Sequence, residues 1–194
     1  MINRAPNSDS DRREERQQDR SFGHRHSGST IYKMRQRLVS LGDDFYIEDQ
    51  AGDRVFKIDG KALRVRQTLL FEDLQGRTLC QIQERMLRVK EAMAIENSQG
   101  EKLAVVKKAL IAPLRDRWTV TIGDDSELEA QGNILDHEYT ITVGRNKLAE
   151  VSKRWFRFAD VYGVEIEPGQ NDVLILAITA AIDMMTQPDS EESV

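Results

Sequence analysis

Asn171-Asp172-Val173-Leu174-Ile175-Leu176-Ala177-Ile178-Thr179-Ala180-Ala181-Ile182-Asp183-Met184-Met185 carries eleven apolar side chains in the thirteen positions from Val173 to Met185. On a helical wheel they occupy every side, so the segment demands burial around its whole circumference. Asn171 or Asp172 supplies a natural N-cap. At about 1.5 Å per residue the run reaches only about 20 Å, short of the roughly 30 Å hydrocarbon core of a bilayer. A helix threaded through a closed β-barrel, where every face meets inward-pointing side chains, satisfies both constraints. Thr179 and Asp183 then form a buried or rim polar pair that needs hydrogen-bond partners.

The sequence before this helix reads as the barrel. Glu48-Asp49 to Gly52, Glu72-Asp73 to Gly76 and Glu96-Asn97 to Gly100 repeat one template at a spacing of 24 residues, the mark of a repeated supersecondary unit. Apolar or alternating stretches flank each turn. Phe45-Tyr46-Ile47, Leu69-Leu70-Phe71 and Met93-Ala94-Ile95 lead in, and Val55 to Ile58, Leu79 to Ile82 and Leu103 to Val106 lead out. Period-two patterning on both sides of an Asp/Asn-x-x-Gly segment predicts a hairpin. The acid or amide closes the turn with its side chain, and glycine supplies the positive φ. An EF-hand reading of these acids fails, since the twelve-residue ligand spacing and flanking helices are absent.

Lys107 to Leu114 contains Pro113 and is expected to be a crossover or linker within the domain. Alternation resumes at Trp118 to Ile122, then Leu128 to Ile134. Glu138 to Val143 and Lys147 to Val151 flank the tight Gly144-Arg145-Asn146 turn, and Val161 to Ile166 ends at Pro168-Gly169. About a dozen short strands at this spacing predict a mainly β sandwich or barrel.

Residues 1–29 carry mixed charge and few apolar side chains, and so are expected to be a disordered N-terminal arm; residues 188–194 are expected to be a disordered acidic tail. The barrel domain is assigned to residues 30–187. A net charge of -5 of mixed sign argues against a nucleic-acid partner. The single cysteine, Cys80, excludes an internal disulfide and fits a reducing compartment. With no apolar leader at the N-terminus, the expected location is cytoplasmic, peripheral to a membrane if the ligand is a lipid.

Leu148-Ala149-Glu150-Val151-Ser152-Lys153-Arg154-Trp155, the strand starting Asp160-Val161-Tyr162, the turn unit Phe45 to Gly52 with Val55 to Gly60, and the apolar helix ending Ala177 to Asp183 resemble the LURP-one-related proteins. The resemblance covers about residues 30 to 187. It implies a closed Tubby-like barrel of twelve strands around a hydrophobic C-terminal helix, shared with Tubby domains and phospholipid scramblases. It also implies no established enzymatic reaction. Tubby domains bind phosphorylated inositol lipids, which makes an anionic headgroup a ligand by analogy. Scramblase activity is not expected: Asp160, Glu165 and Glu167 do not make a dense oxygen-ligand loop, and a cysteine-rich palmitoylation segment is lacking.

No phosphate loop, Cys/His metal spacing or nucleophile elbow appears, so no catalytic residue, metal or cofactor is assigned. His24 and His26 lie in the arm. His137, between Asp136 and Glu138, is expected to be an exposed turn residue. Basic residues offer the candidate binding set: Arg64 and Arg66, Arg115 and Arg117, and Lys153, Arg154 and Arg157. Alternate residues of a strand share a face, so paired arginines can project together toward a phosphate. Solvated strand faces account for the same charges. Trp118, Trp155, Phe156 and Phe158 are expected to pack the barrel rather than to form a binding platform. The expected function is a non-enzymatic binding or regulatory protein, monomeric, whose partner is an anionic lipid headgroup at a membrane surface or another protein. Two readings stand beside it: an adaptor without lipid binding, and an enzyme using Asp160, Asp183 and Arg154 in the barrel mouth.

Overall fold

The computed structural model describes residues 28–35, 44–59, 68–87, 90–109, 116–123, 126–156 and 160–186. Twelve antiparallel strands follow one another around a closed barrel: β1 (Thr30–Arg35), β2 (Phe45–Glu48), β3 (Arg54–Asp59), β4 (Thr68–Asp73), β5 (Thr78–Leu87), β6 (Lys90–Glu96), β7 (Lys102–Lys108), β8 (Asp116–Ile122), β9 (Ser126–Asn133), β10 (Glu138–Val143), β11 (Asn146–Ser152) and β12 (Val161–Ile166). Closure comes from β1 against β12, in register from Thr30↔Ile166 to Arg35↔Val161. The last element, α1 (Asp172–Thr186), runs through the middle. Among the described residues no helix is long and apolar enough to cross a membrane.

Alternation decides which side chains face in. Leu69 and Phe71, Cys80 and Ile82, Trp118 and Val120, and Tyr162, Val164 and Ile166 join one core with Ile175, Leu176, Ile178 and Ile182 of α1. The helix lies closest to β5, β6, β7 and β12. Asn171 caps it, its Oδ1 accepting the Leu174 N–H at 3.1 Å. Next to the cap, the Tyr32 hydroxyl of β1 donates to Asp172 Oδ2 at 2.6 Å and ties the helix start to the wall.

The three repeats are one structure built three times. Oδ1 of Asp49 accepts the N–H groups of Ala51 and Asp53, that of Asp73 those of Gln75 and Arg77, and that of Asn97 those of Gln99 and Glu101, all at 2.9–3.0 Å. Gly52, Gly76 and Gly100 take φ of 88°, 77° and 80°, a conformation only glycine adopts without strain. The repeat continues onto the outer wall: Lys33 donates to Glu48 at 2.7 Å, Lys57 to Glu72 at 3.2 Å and Gln81 to Glu96 at 3.1 Å.

Of the two readings for the segment after β7, a crossover or a linker within the domain, the pairing of β7 with β8 fits the linker. β7 ends at Lys108, before Pro113, and pairs antiparallel with β8 at Val106↔Val120, while the Ala109 N–H donates to the Arg117 carbonyl. Pro113 itself lies outside the described residues. The expected acidic tail lies outside the described residues, as does the N-terminal arm up to residue 27; Ser29 donates to Glu165 Oε1 at 2.7 Å.

On β12 every residue is buried, on both faces of the wall. The outer face is covered by the segment that follows β11. A Cβ placed on Gly163 would sit 2.4 Å from Cε3 of Trp155 and 3.0 Å from Cε2 of Phe156. Both rings therefore lie directly on the strand backbone, as packing aromatics.

Candidate functional site

Of the seven basic residues marked in the sequence, Arg64, Arg66, Arg115 and Arg157 lie outside the described residues. Arg117 projects from β8 and pairs with Glu129 on β9 at 3.6 Å, both side chains nearly half exposed, which makes a weak surface pair. Lys153 and Arg154 follow β11, three strands further around the wall. Their setting is specific. Glu138 Oε1 accepts the Ser152 hydroxyl and the Lys153 N–H at 3.0 Å and the Arg154 N–H at 3.3 Å. Arg154 Nε stands 3.4 Å from Oε2 of the same carboxylate. The Ser152-Lys153-Arg154 turn is thus an anion cradle, and the anion it holds is the protein's own Glu138.

His137 is the clear correction. It is buried at 8% exposure rather than solvated. The turn at 134–137 ends with His137 at φ 52°, which turns the ring inward. Nε2 stands 2.7 Å from Asp183 Oδ1 of α1, and the ring stacks on Tyr162 with centroids 4.3 Å apart. The flanking Asp136 and Glu138 remain outside, which is why local charge misrepresents the residue between them. Thr179 donates to the Ile175 carbonyl at 3.0 Å and is hydrogen-bonded to Tyr139. The phenols of Tyr139 and Tyr162 are pushed well up, first by burial and then by the negative charge of Asp183. One signal for this cluster was present in the sequence: Asp183, a lone acid in an apolar helix, requires a partner, and His137 is the only histidine between residue 30 and the end of the helix.

The polar set proposed for an enzyme is distributed among different partners. Asp183 is held by His137 in the interior, Arg154 lies on Glu138, and Asp160 is exposed at the start of β12. The Cys80 thiol is fully buried, and burial pushes its pKa up to about 12, far from the range of a reactive thiolate. Among the described residues no three His, Cys, Asp or Glu side chains are grouped to hold a metal ion.

One feature of the outer wall has no counterpart in the sequence reading. Neighbouring strands elsewhere pair over four or more positions, but among the described residues β1 and β2 pair at Lys33↔Glu48 alone. Beside that single pair lies a cleft of about 260 Å³ lined by Lys33, Arg35, Tyr46, Glu48 and Asp160, with Met34 and Val161. Arg54 stacks on the Tyr46 ring, its guanidinium carbon 4.0 Å from the centroid. The lining residues come from segments more than a hundred positions apart, so no local pattern announces them.

Comparison with known proteins bears on the whole barrel. The sequence model of the LURP-one-related family matches residues 30–183. An uncharacterised protein of Bacillus subtilis, YxjI, is 30% identical over 66 residues, a match covering 34% of this chain and only 41% of the relative's length. The crystal structure of a protein from Arabidopsis thaliana superposes with a TM-score of 0.61 at 15% identity, over 82% of this chain and 94% of that one. At that identity the likeness concerns fold alone.

Proposed function

The chain belongs to the LURP-one-related family, and from that premise we propose that it is a non-enzymatic binding or regulatory protein that recognises phosphate-bearing phospholipid headgroups of an anionic membrane surface with the outside of its barrel. The observation that carries this reading is the filled lumen. Residues 175 to 183 of α1 are all buried against the inward side chains of the strands, so the interior is a packed core and recognition falls to the wall and its rims. The groups best suited to catalysis serve that packing: the histidine is committed to Asp183 and the thiol to the core.

Headgroup binding is expected to be electrostatic and therefore salt-sensitive. Co-sedimentation with neutral, anionic and phosphoinositide-containing vesicles, at low and physiological salt, should give retention on the anionic compositions that falls as salt rises. Replacing Lys153→Glu together with Arg154→Glu should weaken it while leaving the fold intact, since Arg154 is largely exposed. Failure to bind any composition overturns headgroup recognition.

A further inference from the structure

We propose that the cleft between β1, β2 and the start of β12 is a binding site for a small phosphoester that carries a primary ammonium group, as in phosphoethanolamine. The assignment rests on the reading of the protein as an outer-wall headgroup binder, and it names the ligand class. At about 260 Å³ the cleft falls just below the roughly 300–1,000 Å³ that takes a drug-sized ligand, which leaves room for a headgroup and not for a larger molecule.

Charge selects the ligand. Lys33 and Arg35, two residues apart on β1, both project from the outer face, while Met34 between them is buried. Tyr46 and Glu48 do the same on β2 around buried Ile47. Asp160 is exposed and directly precedes Val161, the cross-strand partner of Arg35. Among the described residues the lining carries two cations and two carboxylates, a balance that disfavours a polyanion such as a multiply phosphorylated inositol and matches a dipolar ligand. Lys33 is engaged with Glu48 at 2.7 Å. Arg35 is exposed and makes no ion pair with another described residue. The phosphate accordingly goes to Arg35, which offers a planar fork of donors. The ammonium goes to Asp160, an acceptor, while Glu48 keeps Lys33. A quaternary ammonium would prefer an aromatic face, but the Tyr46 ring already carries Arg54. Ethanolamine is therefore favoured over choline.

The same chemistry is presented by a lipid headgroup and by a free phosphomonoester, and the test separates them. The full chain is titrated with phosphoethanolamine, phosphocholine, inorganic phosphate and ethanolamine by calorimetry or NMR. It is also sedimented with anionic vesicles containing or lacking phosphatidylethanolamine. The expected result is binding of phosphoethanolamine above all three controls. Arg35→Ala and Asp160→Asn should each weaken it on the order of tenfold or more, the scale of one charge-assisted hydrogen bond, with unchanged melting temperature because both side chains are exposed. Retention enhanced by phosphatidylethanolamine and lost in those variants makes the lipid the source. Binding of the soluble probe without any vesicle binding keeps the site and overturns the membrane reading. Vesicle binding indifferent to Arg35→Ala and Asp160→Asn but abolished by Lys153→Glu with Arg154→Glu keeps the membrane reading and overturns the cleft. Inorganic phosphate binding as tightly as phosphoethanolamine, or no binding of any probe, also overturns the cleft.

Discussion

Gly163 is where two aromatic rings rest on the barrel wall, and the absence of a side chain there is a packing requirement rather than a matter of backbone freedom. Introducing Gly163→Ala puts a methyl group 2.4 Å from the Trp155 ring, so Trp155 and Phe156 must lift off β12. The expected loss is about 1–3 kcal/mol, read from urea denaturation, with a shift in tryptophan emission as Trp155 leaves its seat. Unchanged stability and emission would mean that the rings do not lie on the strand. His137 teaches the complementary lesson. Its neighbours in sequence are charged, Asp136 exposed and Glu138 half-buried on the outer wall, while its partners, Asp183 and Tyr162, are 46 and 25 positions away. A residue whose environment is set by distant chain cannot be placed from its flanks.

Among the elements, α1 was the most legible, because eleven apolar residues on all sides of a short helix admit few solutions in water. The hairpins were legible for a related reason: each turn is closed by an acid or amide and a glycine within five residues, so the information is local. The segment after β7 was legible only as a crossover or a linker, because a proline signals that a ladder stops and not where the chain goes next; the pairing of β7 with β8 fits the linker. The seam cleft was invisible, since it exists only once β1, β2 and β12 are brought together. The helix assignment makes a sharp prediction. Ile178 is fully buried, so Ile178→Asp should cost more than about 4 kcal/mol by burying an unpaired charge, enough to unfold a domain of ordinary stability. Ile178→Val should cost only about 1 kcal/mol. Equal denaturation midpoints for the two variants would remove α1 from the core.

For the molecule as a whole, three of the four tyrosines join wall and helix from inside. The Tyr32 phenol is raised by burial and then by its hydrogen bond to Asp172; those of Tyr139 and Tyr162 are raised by burial and then by the charge of Asp183. In the unfolded chain these phenols release their protons near pH ~10, whereas the native protein keeps them. Above that point the unfolded state binds fewer protons than the native state, so stability falls with rising pH. The contribution is complete below about pH 10 and is lost as pH climbs toward the native values. Urea midpoints from about pH 8 to about pH 11.5, followed together with phenolate absorbance, should stay level and then drop. Native titration of Tyr32, Tyr139 and Tyr162 at the ordinary value would contradict the arrangement.

The order of elements along the chain also governs how the protein comes off the ribosome. Local hairpins such as the three 24-residue units can form as they emerge, but β1 waits for β12, and the lumen waits for α1, which follows every strand. At roughly 5–20 residues per second, the nascent protein holds twelve strands with uncovered apolar faces while α1 is translated. Folding of this domain is therefore completed by its last helix, acting as a plug that arrives after the vessel, and chaperone protection matters most in that interval.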